Sequence, residues 1–255
     1  MSLSVTGALR EGIERTGTPV GAVLLALLLA ARLATAVVLD TRLPLLAESV
    51  NELSGEQVLE PVQGPMAVDL PSAALTGLSL LAAVLTAAVV TLGFRAFTGD
   101  RPGRVPADAW DGFAWATLNV FVAQIVLGFL LVVGFALFVL PGIVIGVAFA
   151  FVPAAIAVDG HNALRAMQES WRTGRGSWLR ILAVLIGIAV VGFAFSLFGT
   201  SIAILAFDEG VGADVVTIAF GSAVGIYAIG TIASAFDQLR TVDDEFADID
   251  DELLP

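Results

Sequence analysis

The side chains in this sequence that could do chemistry are guanidinium groups set within or beside long apolar runs. Arg32 interrupts an otherwise uncharged run over residues 19–39. Four more arginines follow a longer apolar run, at Arg165, Arg172, Arg175 and Arg180. Guanidinium groups form paired hydrogen bonds with phosphate and carboxylate oxygens. The pattern therefore predicts contacts with an anionic solute or with lipid head groups.

Motifs that carry catalysis or bind cofactors are missing from the sequence. It has no cysteine, no lysine and a single histidine, His161. Thiolate chemistry, cysteine-ligated metals and a phosphate-binding loop with its lysine are therefore excluded. A lone histidine in a turn is also a poor nucleus for a metal site. We expect no enzymatic activity, no cofactor and no bound metal.

Composition places the chain in a membrane. Of 255 residues, 58% are hydrophobic and 14% are charged, with a mean hydropathy of +0.93, whereas soluble domains carry about 25% charged residues. All 12 basic residues are arginine, 24 residues are acidic, and the net charge is -12. This acid excess without lysine suggests a salt-loving, archaeal-like source in which hydrated carboxylates keep the loops soluble. Nucleic acid is excluded as a partner, because it requires clustered cations.

Uncharged runs divide the chain into about six predicted spans, since one crossing needs roughly 20 apolar residues. The runs cover residues 19–39, 72–94, 113–138, 142–158, 178–207 and 215–236. Residues 1–18 are predicted to form an interfacial helix in which Glu11 pairs with Arg15. A cleaved secretory signal ending near residues 34–36 is the alternative for this end of the chain. The predicted fold is all-α, a polytopic transmembrane helical bundle with short interfacial amphipathic helices.

Two segments outside the spans are strongly acidic. Residues 40–69 are expected to form the longest loop outside the membrane, with glutamates that either line a short helix or make an irregular acidic cap. Residues 237–255 are predicted to be an acidic tail, disordered or only transiently helical. Its aspartates lack the glycine and the spacing of an EF-hand loop, so we expect solvation rather than Ca²⁺ or Mg²⁺ binding. These are Asp243, Asp244, Asp248, Asp250 and Asp251.

Residues 141 and 142 decide how the longest apolar run is divided. Residues 113–158 contain no ionisable side chain, about twice the length that one span requires. We expect Pro141 and Gly142 to form a turn between spans three and four. The resulting hairpin places ten arginines on one side of the membrane and Arg42 alone on the other. Because positive charge prefers the cytoplasm, both termini are predicted to be cytoplasmic, in a multi-pass protein of the cell membrane.

An amphipathic segment after span four is predicted to lie in the plane of the membrane surface. Pro153 is expected to kink span four before it, and Asn162 to cap its first turn. The apolar and charged residues of this helix share opposite sides, with Leu164, Met167 and Trp171 on one and Arg165, Glu169 and Arg172 on the other. Such a helix suits the boundary between lipid and water.

Small and polar residues within the spans predict how the helices pack. Alanines recur every four residues in span one, at Ala22, Ala26, Ala30 and Ala34. They form a narrow face that another helix could approach. Matching stripes predict close packing of spans five and six, with a homodimer contact as the alternative. The stripes are Gly192, Ser196 and Thr200 in span five, and Thr217, Gly221 and Gly225 in span six. Asn119 and Gln124 in span three are expected to form interhelical hydrogen bonds, with a pore lining as the alternative.

Arg32 admits two interpretations. A charged residue near the middle of a membrane costs about 2.5–3.5 kcal/mol on insertion scales. Arg32 lies seven residues before Leu39, about 10 Å along a helix. Its head could therefore reach the outer interface or donate to helix carbonyls. The alternative is that it lines a site for a solute or a lipid head group.

Residues 141–180 carry the most distinctive pattern in the chain. It consists of Pro141-Gly142-Ile143, then Asp159-Gly160-His161-Asn162, then Ser170-Trp171-Arg172-Thr173-Gly174. The pattern resembles a broad group of uncharacterised bacterial and archaeal six-span membrane proteins. That group includes the membrane domain attached to some glycerophosphoryl diester phosphodiesterases. The resemblance implies the fold and the membrane location but no catalytic residues, and the chain has no room for a phosphodiesterase barrel of about 250 residues.

These patterns together predict a non-catalytic membrane scaffold or accessory protein. Its surface arginines would hold it against anionic lipid head groups, each contributing about 1 kcal/mol. A membrane-protein partner or a homodimer could complete the assembly. The alternative is a small-solute or lipid transporter in which Arg32 contacts the anion. Transporters often contain matching broken helices, whereas this chain has a comparable break only around residues 141–153.

Overall fold

The computed structural model describes residues 3–60, 62–99, 101–207 and 210–253, with side chains as far as residue 240. Within this part the chain forms α-helices and no strands. They are α1 (Val5–Thr16), α2 (Pro19–Ser54), α3 (Ser72–Phe97), α4 (Phe113–Leu137), α5 (Val139–Ala148), α6 (Val152–Asp159), α7 (Ala163–Gly174), α8 (Trp178–Phe207) and α9 (Val211–Leu253). Six segments of the described chain are long and apolar enough to cross a membrane, with α5 and α6 together forming one of them. The predicted all-α fold with six spans is confirmed.

Helix α2 continues well beyond the first predicted span. Thr18 caps its start by accepting a hydrogen bond from the Gly21 amide at 3.2 Å. The helix then passes through Pro44 and ends at Gly55, which adopts a φ of 70°. The polar residues after Leu39 mark where a helix can leave the hydrocarbon, not where its backbone hydrogen bonds must stop. Helix α2 is therefore longer than its apolar run.

The connection between α2 and α3 folds back onto α2. The Asp40 carboxylate accepts a hydrogen bond from the Met66 amide at 3.0 Å. Farther along α2, the Asn51 side-chain carbonyl accepts from the amides of Val58 and Leu59 at 2.8 and 2.9 Å. The acidic segment therefore combines both predicted forms, a helix up to Ser54 and an ordered irregular loop after it.

Spans three and four form the predicted hairpin, but its turn lies before Pro141. Phe138 adopts an extended conformation between α4 and α5, and Pro141 lies in the first turn of α5. A proline suits that position because amides of a first turn have no partner within the helix. A Cβ atom on Gly142 would lie 2.5 Å from the Phe135 ring. Gly142 thus permits the close approach of the two helices instead of making the turn.

Span four is broken into two helices near Pro153, as the sequence predicted. Helix α5 ends at Ala148 and α6 begins at Val152, with Pro153 in its first turn. The Ser170 hydroxyl of α7 reaches into this break. It donates to the Ala148 carbonyl at 2.8 Å and accepts from the Phe151 amide at 3.2 Å. The break is therefore stabilised by a buried side chain of the following helix.

The largest buried side chains lie where the end of α3 meets α6 and the later part of α9. Phe94, Phe97, Phe151 and Phe236 are each at most 2% exposed, and the rings of Phe151 and Phe236 are 5.7 Å apart. The core therefore lies toward one end of the bundle. Elsewhere the spans expose large apolar side chains, as helices facing lipid do.

Helix α1 packs into the same end of the bundle. Its Gly12 lies against α9, where a Cβ atom would be 3.1 Å from the Thr231 Cα atom. Ala8 and Gly12 are buried, whereas Ile13 is 63% exposed. The helix has one face on the bundle and one face free, and it ends directly before α2.

Two further expectations differ from the structure. The alanine stripe of α2 does not make the helix contact, because Ala22, Ala26 and Ala30 are exposed. The buried face of α2 instead carries Gly21, Leu24, Leu28 and Ala31. Helix α9 continues to Leu253 where a disordered or transiently helical tail was expected. The tail aspartates that were expected to be solvated have side chains outside the described residues.

Candidate functional site

Contacts between distant segments gather the arginine-bearing elements at one end of the bundle. Arg15 of α1 contacts Asp237 of α9 at 2.6 Å, and Arg240 contacts Asp159 at the end of α6 at 2.8 Å. Gly103, between Arg101 and Arg104, donates to the Ala96 carbonyl at 2.8 Å. The elements so joined carry six of the twelve arginines, namely Arg10, Arg15, Arg95, Arg101, Arg104 and Arg240. Helix α7 and the start of α8 pack at the same end, where Ser170 accepts from the Phe151 amide and Ile181 lies in the buried cluster with Phe151. They and the residues between them carry the other four, Arg165, Arg172, Arg175 and Arg180. The hairpin of α4 and α5 thus brings Arg95, which precedes it, and Ala157, which follows it, to the same end of the bundle.

Arg95 holds the end of α3 to two other segments. Its Nε donates to the Ala157 carbonyl of α6 at 2.7 Å. Its Nη1 donates to the carbonyls of Ala109 and Asp111, the latter at 3.0 Å. No ion pair involving Arg95 is found in the described part of the chain. The guanidinium therefore organises the loop between α3 and α4 through backbone oxygens.

A polar cleft of about 780 Å³ opens beside this arginine. Arg15 and Arg240 line it, and both are paired with aspartates, as described above. The carboxylates on its wall belong to Asp108, Asp111, Asp159 and Asp237. Its cations are already neutralised or engaged by carbonyls, so the cleft offers no free positive charge to an anionic ligand.

The predicted lipid-contacting arginines on and after α7 are all exposed. Asn162 caps the helix as predicted, accepting from the Arg165 amide at 2.9 Å. Arg165 and Arg172 line a cleft of about 640 Å³ together with His161. Arg172 pairs with Glu169 at 3.0 Å, although its side chain is 78% exposed. Arg175 and Arg180 lie outside that cleft, so the structure brings two of the four together.

The apolar side of α7 is divided between lipid and protein. Leu164 and Trp171 are 76% and 40% exposed, whereas Ser170 and Thr173 are buried against the bundle. The ring of Trp171 packs edge to face on Trp178 at 5.0 Å. Exposed apolar side chains beside exposed arginines are what an interfacial helix requires. The face that packs against the protein, however, is made of small residues, Ala166, Ser170, Thr173 and Gly174.

Arg32 lies in a separate recess between α2, α8 and α9. The recess has a volume of about 700 Å³ and mostly apolar walls. A Cβ atom on Gly221 would lie 3.1 Å from Arg32 Nη1, and one on Gly225 would lie 3.1 Å from Nη2. The guanidinium therefore crosses from α2 to α9 and rests against the two glycines. Arg32 is 13 residues after Pro19, about 20 Å along α2 from the arginine-rich end.

Arg32 has no hydrogen-bond acceptor and no carboxylate partner within the described residues. The hydrogen bonds to helix carbonyls that the sequence suggested are not formed there. Three hydroxyl side chains line the recess, on Thr35, Ser196 and Thr217. Thr35 and Thr217 donate to carbonyls of their own helices, Ala31 at 2.9 Å and Ala213 at 3.0 Å. Ser196 forms no such bond in the described structure, so its hydroxyl is available to a ligand.

Small residues from the predicted stripes of spans five and six line this recess. A Cβ atom on Gly192 would lie 3.1 Å from a methyl group of Val224, and one on Gly199 would lie 2.8 Å from the Phe220 ring. The close packing of these two spans is thereby confirmed. The same small residues leave the space that the Arg32 guanidinium enters. The homodimer alternative stays a prediction.

Three polar contacts at the arginine-rich end were not anticipated in the sequence. They are made by Ser170 in the break of span four, by Arg95 with its three carbonyls, and by Asp237 with Arg15. None forms a motif, because each partner lies far away along the chain. The interhelical role predicted for Asn119 is confirmed, since its side-chain oxygen accepts from the Ala163 amide at 3.2 Å. Gln124 forms no side-chain hydrogen bond within the described residues.

The described residues contain no group of three or more histidine, aspartate or glutamate side chains that could hold a metal ion.

In the comparisons with known proteins, a family model described as a domain of unknown function, DUF7847, matches residues 3–239. No curated protein and no solved structure matches the chain. Nothing in these comparisons links it to glycerophosphoryl diester phosphodiesterases.

Proposed function

Since the chain belongs to the DUF7847 family of domains of unknown function, we propose that it is a non-catalytic accessory or scaffold protein of the membrane. Its arginine-rich end would rest on an anionic lipid surface. The observation that carries this proposal is the gathering of ten arginines at one end of a bundle whose six spans could cross a membrane.

Helix α7 is the element best suited to make that contact. Its exposed Leu164 and Trp171 offer apolar surface to acyl chains. Arg165 and Arg172 on the same helix, followed by Arg175, offer charge to head groups. Basic residues near an anionic surface contribute about 1 kcal/mol each. The combination favours a protein that lies against the charged leaflet and presents this end to a membrane-protein partner or a second copy.

The orientation of the protein follows from the same charge distribution. Arginines prefer the cytoplasmic side of a membrane. Helix α1 and the part of α9 around Asp237 are at the arginine-rich end. We therefore place this end in the cytoplasm and the protein in the cell membrane. The acid excess supports a salt-loving source.

Lipid retention tests the proposal directly. The protein would be reconstituted in nanodiscs of phosphatidylglycerol mixed with phosphatidylcholine, and native mass spectrometry would count the lipids it keeps. A variant with Arg165, Arg172, Arg175 and Arg180 all changed to Gln should keep fewer anionic lipids. The control changes three other exposed arginines of the same end, Arg10, Arg101 and Arg104, and the loss of lipid is compared per arginine changed. Equal loss per arginine in both variants would attribute the effect to total charge and contradict a specific role of α7.

A second candidate function is the handling of a small solute or a lipid through the membrane. The observation that favours it is the recess around Arg32, which lies far from the arginine-rich end. Flux into proteoliposomes would test it, with Arg32→Leu as the variant. Loss of flux in a folded Arg32→Leu protein would support this function. Equal flux in protein-free liposomes would contradict it.

A further inference from the structure

The recess around Arg32 contains a charge that the chain leaves without a counter-ion. Arg32 forms no ion pair in the part of the chain that the structure describes, and no carboxylate lines the recess. The nearest carboxylates along α2 and α9 are Asp40 and Asp214. They lie eight residues from Arg32 and seven from Gly221, about 12 and 10 Å along their helices. An arginine stays protonated in proteins, so an anion from outside the chain would neutralise it.

The surroundings of Arg32 hold the guanidinium in place for such an anion. Gly221 and Gly225 leave room for it beside α9, and any larger residue at either position would displace it. Leu28, four residues before Arg32 on α2, also packs against α9 here. A Cβ atom on Gly225 would lie 3.0 Å from Leu28 Cδ2. The side chain is thus directed across the bundle to α9 and not along α2 toward the outer interface. Arg32 is exposed, and its N–H donors face the recess, where a ligand can reach them.

The recess has the chemistry of a lipid head-group site. Its walls are mostly apolar, with Ala36, Leu39 and Val224 beside the cation and the hydroxyl of Ser196. A guanidinium binds the oxygens of a phosphate in pairs. A volume of about 700 Å³ exceeds that of a free phosphate and suits a head group with the start of its acyl chains.

We propose that Arg32 and Ser196, in the recess between α2, α8 and α9, bind a phosphate group, with a membrane phospholipid as its source. The site lies away from α7 and requires neither transport nor a scaffold role. Free phosphate shares the chemistry of the head group, so the experiment must separate the two sources.

The first arm of the test uses lipid. Wild-type protein and Arg32→Gln would be exchanged into detergent, supplied with phosphatidylglycerol, and analysed by native mass spectrometry at rising collision energy. Loss of a charged hydrogen-bonding group should weaken retention about tenfold to a hundredfold. Arg42→Gln is the matched control, because Arg42 is also on α2 but donates to Thr76 at 2.6 Å. Equal retention by wild type and Arg32→Gln would overturn the lipid as ligand.

The second arm uses inorganic phosphate alone, in detergent without phospholipid. If free phosphate is the ligand, it should raise the melting temperature of the wild type and leave Arg32→Gln unchanged, while no phospholipid is retained. That outcome would support a phosphate site at Arg32 and identify free phosphate, not a phospholipid, as its ligand. No Arg32-dependent difference with either probe would overturn the site.

Two further variants separate binding from folding. Ser196→Ala removes one donor from the recess and should weaken retention several-fold. Ser201→Ala on the same helix is its control, because the Ser201 hydroxyl donates to the Leu197 carbonyl of α8 at 2.8 Å. Arg32→Lys keeps the charge and should bind more tightly than Arg32→Gln. If Arg32→Gln does not fold, equal retention in Ser196→Ala, Ser201→Ala and Arg32→Lys would overturn the site. Failure here would leave the role of α7 intact, because that role is measured with different arginines.

Discussion

The guanidinium of Arg15 and the carboxylate of Asp237 join the first helix of the chain to the last. Arg15 Nη1 lies 2.6 Å from Asp237 Oδ2, and the same nitrogen donates to the Phe97 carbonyl at 2.6 Å. Arg15 Nη2 contacts Glu11 at 2.9 Å, and the Ser234 hydroxyl donates to Glu11 at 2.7 Å. This network connects α1, α3 and α9 at the arginine-rich end, in addition to the hydrogen bonds of the Ser4 amide to Gln238 and of the Tyr227 hydroxyl to the Leu9 carbonyl.

Arg15→Ala should therefore destabilise the bundle. The Arg15 side chain is 11% exposed and its removal leaves Asp237 without this cation. We expect the unfolding free energy to fall by roughly 2–3 kcal/mol, less than the roughly 3–5 kcal/mol of fully buried pairs, because Glu11 is 42% exposed. Denaturant unfolding in mixed micelles would measure the loss.

Arg10→Ala provides the control for that experiment. Arg10 pairs with Glu14 at 3.0 Å on the same helix, but the two side chains are 83% and 61% exposed. An exposed pair contributes at most about 1 kcal/mol. Equal effects of Arg10→Ala and Arg15→Ala would contradict a structural role of the Arg15 network.

Arg95→Met should release the loop between α3 and α4. Methionine retains much of the side-chain volume but donates no hydrogen bond to Ala157, Ala109 or Asp111. We expect faster limited proteolysis within residues 98–112 and a loss of roughly 2 kcal/mol or more, since hydrogen bonds from charged groups contribute about 1.5–3 kcal/mol. Arg101→Met, at an exposed position of the same loop, should leave proteolysis unchanged. Protection of the loop in Arg95→Met would refute this role.

Gly142→Ala should open the hairpin of spans three and four. The added Cβ atom would lie 2.5 Å from the Phe135 ring, so either that ring or one of the two helices must shift. Overpacking of this kind costs about 1–3 kcal/mol, measured as the shift in denaturant midpoint. Gly146→Ala in the same helix is the control, because its Cβ atom would be 3.8 Å from Leu131. Alanine there should be neutral or stabilise by up to about 1 kcal/mol.

Ser170→Ala should weaken the junction between α5 and α6. The substitution leaves the Phe151 amide and the Ala148 carbonyl without their hydroxyl partner in a buried place. An unsatisfied buried group costs about 1–3 kcal/mol. Amide hydrogen exchange near residues 149–151 should rise in step with the loss of stability. Ser201→Ala, which removes an exposed hydroxyl bonded within its own helix, should change neither measurement.

Charge and hydropathy predicted the fold because both have a large energetic effect in a membrane. A charged residue costs several kcal/mol in hydrocarbon, so apolar runs and arginine positions reveal the spans and their pairing. The alanine stripe of α2 gave a wrong prediction of the helix contact, because small apolar residues are as stable facing lipid as they are packed against another helix. Ala26, for example, is exposed. Pro141 misled because a proline suits the first turn of a helix as well as a turn between helices.

The surroundings of Arg32 could be predicted only in part. Its position in an apolar run marks it as unusual in the sequence. Which residues of α8 and α9 face it depends on tertiary packing, so Ser196 and Gly221 could not be assigned to it in advance. The contacts of Ser170 and Arg95 could not be predicted from the sequence, because they also depend on tertiary packing. Their partners are backbone groups, and a backbone group has no signature in the sequence.

Cysteine labelling tests the orientation on which the proposed function depends. The chain has no native cysteine, so one introduced cysteine reports one position. With a membrane-impermeant maleimide on intact cells, Arg104→Cys and Arg172→Cys should be labelled only after lysis, because their loops lie at the arginine-rich end. Glu56→Cys, beyond the end of α2, should be labelled without lysis. Labelling of Arg104→Cys and Arg172→Cys on opposite sides would rule out the hairpin of α4 and α5. Labelling of both from outside would instead invert the protein and place the charged surface of α7 away from the cytoplasm.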